Sequence, residues 1–199
     1  MAKSTTSAGA SAPKRRRADA ERSVAAILDA ALEALASDPD SSMSEIARRA
    51  GVVRATIYVH FPTRTDLLDA VMEYAVGLVV ESMRGAEPQR GEPVEALERV
   101  LRATWRQLGQ FHGLLALNIA RLSAEELHRR HRPMLDQLEP LIERGQKKGV
   151  FRRDLPVAWH LAVLRAIVHA ASTEIRGGRI SESEAEAAML TTAVSAIST

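Results

Sequence analysis

The chain has 199 residues, no cysteine, few aromatic residues and a formal charge of only +2, from 27 Lys and Arg against 25 Asp and Glu. That length buries a sizeable core without staples, and the lack of thiols excludes a disulfide framework, cysteine nucleophiles and thiolate zinc sites, so a cytoplasmic location is the simplest expectation. No apolar run approaches the roughly 18 residues of a membrane span, and the first dozen residues lack the apolar stretch of an export signal.

The charge is unevenly spread. Lys3, Lys14, Arg15, Arg16 and Arg17 place five positive charges in the first 17 residues against no acid, which leaves the remaining 182 residues net −3. Residues 1–17 are therefore expected to form a disordered basic arm, suited to phosphates or a minor groove, whereas the near-neutral total argues against non-specific coating of nucleic acid. From residue 18 onward Ala, Leu, Glu and Arg dominate and β-branched alternation is hard to find, so the fold is expected to be all-α with about nine helices. No period of 20 to 50 residues repeats, which argues against a solenoid.

In chain order, a first helix is expected from about Ala20 to Ser37, with Val24, Ile27, Leu28, Ala31 and Leu35 on one face. Ser42-Met43-Ser44-Glu45 reads as a capping box opening a short second helix that ends at Gly51. A third covers about Arg54 to His60 and stops at Phe61-Pro62, since proline disfavours helical geometry in the residue before it. Thr63-Arg64-Thr65-Asp66 reads as another capping box, opening a fourth helix that extends toward Met83. Beyond a Gly/Pro-bearing loop, helical spacing returns from Val94 to about Phe111, followed by a short apolar helix around Leu114 to Leu122. Ser123-Ala124-Glu125-Glu126 reads as a third capping box before a long helix ending near Gly149. Two last helices are expected over about Pro156 to Ile175 and Glu182 to Ile197.

Two short helices joined through Gly51 make a helix-turn-helix, because glycine permits the left-handed backbone that a sharp interhelical turn needs. Ile46, Ala47, Ile57 and Phe61 supply the inward contacts. The other face of the third helix offers Arg54, Thr56, Tyr58 and His60 as donors, and Ala55 is small enough for close approach to a major groove. Arg54 suits a guanine edge or a phosphate, Thr56 a base or a phosphate, and Tyr58 and His60 the phosphate backbone. One residue departs from this pattern: Val53, before the third helix, has no side-chain acceptor to cap it.

Glu45-Ile46-Ala47, then Ala50-Gly51-Val52, then Thr56-Ile57-Tyr58-Val59-His60-Phe61-Pro62 resembles the DNA-binding domain of the TetR/AcrR family of transcriptional regulators, a likeness carried by residues 20 to 70. The resemblance implies phosphate contacts from Tyr58, His60 and Arg64, and DNA contacts from Ser42, Ser44, Arg54, Ala55 and Thr56 at the starts of the second and third helices. Lys14, Arg15, Arg16 and Arg17, just before the first helix, join that list. It further implies a DNA-binding domain over 18–64 and a helical ligand-binding and dimerisation domain over 65–199. The function implied is that of a repressor released from a palindromic operator by a small organic effector.

One short helix reads a half-site weakly, so two-fold pairing is expected, with recognition helices about 34 to 36 Å apart on DNA. Leu161, Leu164, Ile167, Ala170, Ala185, Met189 and Ala193 form small-residue apolar stripes on the last two helices, the expected dimer interface; by resemblance such helices pair into a four-helix contact. Trp105, Phe111, His112, Leu115, Asn118, Leu138 and Ile142 form a mostly apolar group with a few polar atoms, which suits either an effector pocket or an ordinary core. His128 and His131, with Glu125 nearby, supply too few ligands for a metal, and Arg129, Arg130 and Arg132 oppose a cation, so neither metal nor cofactor is expected. No nucleophile–base pair or phosphate-cradling loop appears, so an enzyme is not expected. The alternative is a helical protein-binding adaptor without DNA activity.

Overall fold

The computed structural model describes residues 12–109 and 123–199, and those residues form eight helices and no strand longer than an isolated bridge. The helices are α1 (Ala12–Ser37), α2 (Met43–Arg49), α3 (Arg54–His60), α4 (Arg64–Gly85), α5 (Pro93–Gly109), α6 (Ala124–Lys148), α7 (Val157–Arg176) and α8 (Glu182–Ile197). The short helix expected around Leu114 to Leu122 lies outside the described residues. The chain divides into two compact units, Met1–Val71 and Met72–Thr199.

The first unit is built on the inward residues of α1. Ile27, Ala31 and Leu35 are fully buried, and Ile46 and Ala47 of α2 with Ile57 of α3 and Phe61 complete the same core. One expectation is corrected here. α1 begins at Ala12, not near Ala20, so the backbone of Lys14 to Arg17 is helical and does not belong to a disordered arm. The cause lies in the sequence: Ala, Lys and Arg are strong helix formers, and Pro13 falls in a first turn, where its missing N–H costs nothing.

The caps are reciprocal only in part. At α4 the Asp66 amide donates to Thr63 Oγ1 at 3.1 Å and the Thr63 amide donates to Asp66 Oδ2 at 2.9 Å, so the expected box forms. At α2 the Glu45 amide donates to Ser42 Oγ at 3.2 Å, but the Glu45 carboxylate turns to Arg48 and Arg49 instead of the Ser42 amide. At α6 the Glu126 amide likewise donates to Ser123 Oγ at 3.2 Å while its carboxylate pairs with Arg129 and Arg130. A charge-assisted contact to guanidinium outcompetes a backbone N–H for the same carboxylate. A complete box that the sequence reading did not name forms at α8, between Ser181 and Glu184.

The second unit packs Leu97, Val100, Leu101 and Trp105 of α5 against Leu141 and Ile142 of α6, Leu161 and Leu164 of α7, and Ala185, Met189 and Ala193 of α8. Phe151, in the turn after α6, is fully buried. The turn is fastened to the chain's last residues: the Arg152 amide donates to the Ile197 carbonyl at 2.8 Å and the Thr199 amide to the Val150 carbonyl at 3.3 Å. The loop between α4 and α5 is held by cations, Arg99 donating to the Arg90 carbonyl at 2.7 Å and Arg144 to the Gly91 carbonyl at 2.7 Å. No helix among the described residues is long and apolar enough to cross a membrane.

Candidate nucleic-acid interface and effector cavity

α2 closes with the Ala50 amide donating to the Ile46 carbonyl at 2.9 Å, and Gly51 then reverses the chain at φ +68°. That left-handed value is the one the helix-turn-helix spacing requires of glycine. α3 starts without a side-chain cap, as Val53 dictates, the Thr56 amide bonding to the Val53 carbonyl at 2.9 Å. Ile57 anchors it, fully buried. Arg54, Ala55, Tyr58 and Val59 are exposed, with Thr56 and His60 half-buried beside them.

Arg54 is organised by Tyr58. Its Nη2 donates to the phenol oxygen at 3.3 Å and its guanidinium carbon lies 5.4 Å from the ring centroid, a cation–π pair that holds both groups on the outer face. Ser42 and Ser44 are exposed at the start of α2, and the Ser42 hydroxyl oxygen caps the helix. Arg64 has a second commitment: its guanidinium donates to the Ser41 carbonyl and, at 2.8 Å, to the Pro39 carbonyl, clamping the α1–α2 loop to the start of α4.

Two features of this face were not read from the sequence. Arg48 and Arg49 both bond to Glu45, whose carboxyl the guanidinium of Arg48 first, then that of Arg49, holds down at about 2, so the acid stays ionised and offsets part of the cationic charge of α2. Val53 and Val59 are 70% and 77% exposed, and with Tyr58 at 38% they make three of the four exposed large hydrophobic residues among those described. The signal was available for Val59, which follows Ala55 by four residues and so shares its face, away from Ile57.

In the second unit a cavity of about 70 Å³ lies among α4, α5, α6 and α7. Of the expected effector residues, Leu138 lines it, whereas Trp105 and Ile142 are fully buried in the surrounding core and do not. Phe111, His112, Leu115 and Asn118 lie outside the described residues. Apolar periodicity places a residue inside without saying whether it faces a neighbour or a void, which is why two of these fell on the wrong side.

The cavity wall carries four polar side chains that sequence reasoning did not assign to it, Thr104, His131, Arg165 and His169. The His131 and His169 rings are 5.7 Å apart and tilted by 53°. His131 Nδ1 contacts the Leu127 carbonyl at 2.7 Å, so that nitrogen carries the proton. Burial pushes both imidazoles below the usual histidine range, His169 to about 4; the charge of Arg165 acts in the same sense on both, with that of His128 on His131 and that of His131 on His169. Among the described residues no group of three potential metal ligands converges.

The expected dimer stripes also need correction. Leu161, Leu164, Ala185, Met189 and Ala193 are buried in the chain's own core, and Leu161 and Leu164 line the cavity, so they present no face to a second copy. Ile167 is half-buried and Ala170 exposed. The outward face of α7 is the opposite one: Trp159, 55% exposed, with Ala166, Ala170 and Thr173 at helical spacing. Ala188, Thr191, Thr192 and Ser195 continue an uncharged exposed surface on α8. An apolar stripe at period 3.6 marks whichever side is buried within the monomer, so it identified the intramolecular face.

Comparison with known proteins adds a second line of observation. A model of the bacterial regulatory proteins of the tetR family matches residues 27–71, and one of the tetracyclin repressor-like C-terminal domain matches residues 93–197. The HTH-type transcriptional repressor LfrR of Mycolicibacterium smegmatis is 41% identical over 81 residues, which span 41% of this chain and 43% of LfrR. The HTH-type transcriptional regulator NfxB of Pseudomonas aeruginosa is 26% identical over 159 residues, 79% of this chain and 84% of NfxB. The crystal structure of LfrR in complex with proflavine superposes with a TM-score of 0.70 at 28% identity, covering 90% of this chain and 98% of LfrR.

Proposed function

Since the chain belongs to the TetR family of bacterial regulatory proteins, we propose that it is a cytoplasmic repressor whose two copies seat their α3 helices in successive major grooves of a palindromic operator, and that a small organic effector releases it. The observation that carries this reading is the outer face of α3, where exposed donors and exposed apolar side chains stand together on a helix anchored by the buried Ile57.

In this reading residues 18–64 bind DNA and 65–199 sense the effector and dimerise. Tyr58, His60, Ser42 and Ser44 bond to phosphates and set register, and Lys14 to Arg17 add cationic charge at the start of α1. Arg54, released from Tyr58, reads a guanine edge, while Ala55 and Val59 meet the 5-methyl groups of thymine. Arg64 positions the loop before α2 as well as facing the backbone. LfrR is repressive by name and holds proflavine in its crystal structure. Here the cavity of about 70 Å³ is far below the roughly 300 Å³ of an ordinary ligand pocket, so effector entry widens it. The bound form then favours a spacing of the two α3 helices that the operator does not accept.

The test is fluorescence anisotropy with duplexes drawn from the DNA flanking the protein's own coding region. Affinity is expected to fall steeply and log-linearly as salt rises. Tyr58→Ala is expected to lose about 1.5 kcal/mol, roughly tenfold, with an unchanged melting temperature, because Tyr58 is exposed and pairs with Arg54. Failure to retain any duplex, or an affinity indifferent to salt, overturns the reading.

A further inference from the structure

The effector cavity has an unbalanced charge. Apart from Thr104, His131, Arg165 and His169, its lining is Met, Leu and Val, and no Asp or Glu lines it. Residues 110–122 of the sequence contain no Asp or Glu either. Arg165 is half-buried and makes no hydrogen bond or ion pair with any described residue. Thr104 Oγ1 is buried and likewise lacks a hydrogen-bond partner. Both imidazoles are held neutral near pH 7 by their burial, so the fixed charge of the wall is that of one guanidinium.

A partly desolvated cation and an unsatisfied hydroxyl on the wall of one cavity are costly unless something supplies hydrogen-bond partners. A guest with a carboxylate supplies them, because a guanidinium donates two parallel bonds to a carboxylate and the pair gains strength in an apolar surround. A cationic guest instead meets a like charge with no acid to offset it.

We propose that the effector is an anionic amphiphile, an apolar body bearing one carboxylate, with the head bound by Arg165 and the Thr104 hydroxyl and the body lying against the Met, Leu and Val wall. The proposal rests on the reading of this cavity as the effector site.

The experiment titrates octanoate, octylammonium and octanol into the full chain by isothermal calorimetry at fixed salt. The probes share one tail and differ in head charge. Octanoate is expected to bind at least tenfold more tightly than octylammonium. Arg165→Met is expected to erase that preference and Arg165→Lys to keep part of it. Leu108→Trp, which fills the cavity from a half-buried position, is expected to weaken all three, with circular dichroism confirming that each variant folds. If octylammonium binds as tightly as octanoate and Leu108→Trp blocks both, the cavity is the effector site and the charge assignment is wrong. If octanoate keeps its advantage in Arg165→Met, the role of Arg165 is wrong. Binding that Leu108→Trp leaves intact, or no binding by any probe, overturns the cavity reading itself.

Discussion

His169 illustrates how a single side chain ties the cavity to stability. Its folded value of about 4 lies below the ordinary 6.5, chiefly through burial, then through His131, Arg165 and Arg176. Between those two values the unfolded chain binds a proton that the folded chain refuses, so stability is lost as pH falls from 6.5 toward 4. His131 is shifted in the same direction, with His128 and Arg165 the charges acting on it. His169→Phe is therefore expected to flatten this dependence: the drop in melting temperature between pH 7 and pH 4.5 should be smaller in the variant than in the wild type, and an equal drop would show that His169 takes no part. At this scale the polar groups of α3 were legible, because Arg54, Tyr58 and His60 carry their chemistry in their identity. Val59, 77% exposed, was legible only through its spacing from Ala55, since its apolar character taken alone announces burial. Thr104, Arg165 and His169 were hidden, because which helix faces form a cavity wall depends on packing partners distant in sequence.

Helices were the most readable level. α3 and α8 start and stop where Phe61-Pro62, Gly177-Gly178 and the spacing of apolar residues place them. What the sequence did not disclose was competition for carboxylates, which left Glu45 and Glu126 on arginines instead of caps. Contrasting glycines make a second test at this level. Gly145 in α6 lies against the ring of Phe151, where a Cβ would stand 1.9 Å from ring carbon Cδ2, whereas a Cβ on Gly77 in α4 would meet nothing within 4 Å. Alanine gains about 1 kcal/mol over glycine in a helix interior, and overpacking costs about 1–3 kcal/mol. Gly77→Ala is thus expected to stabilise the protein by up to about 1 kcal/mol, and Gly145→Ala to destabilise it by about 1–2 kcal/mol. Urea denaturation checks both, and a stabilised Gly145→Ala would mean that Phe151 yields.

For the whole molecule, pairing of two copies through the uncharged outer face of α7 and α8 predicts a defined weakness. Ala170 is exposed on that face and distant from the buried stripe of Leu161 and Leu164. Ala170→Arg places a guanidinium at a surface where its symmetry mate carries another, so sedimentation velocity should show a monomer of intact helicity, with operator affinity reduced along with it. An unchanged dimer would move the interface elsewhere. From sequence the buried and the outward sides of these helices could not be told apart, because intramolecular and intermolecular burial leave the same periodic trace.

The bonds that fasten the turn at Val150 and Arg152 to Ile197 and Thr199 also set an order of events during synthesis. The residues of the first unit have all been made by Val71, whereas the clasp of the second unit waits for Ile197 and Thr199. A nascent chain is therefore expected to close its helix-turn-helix before its second unit can be fastened.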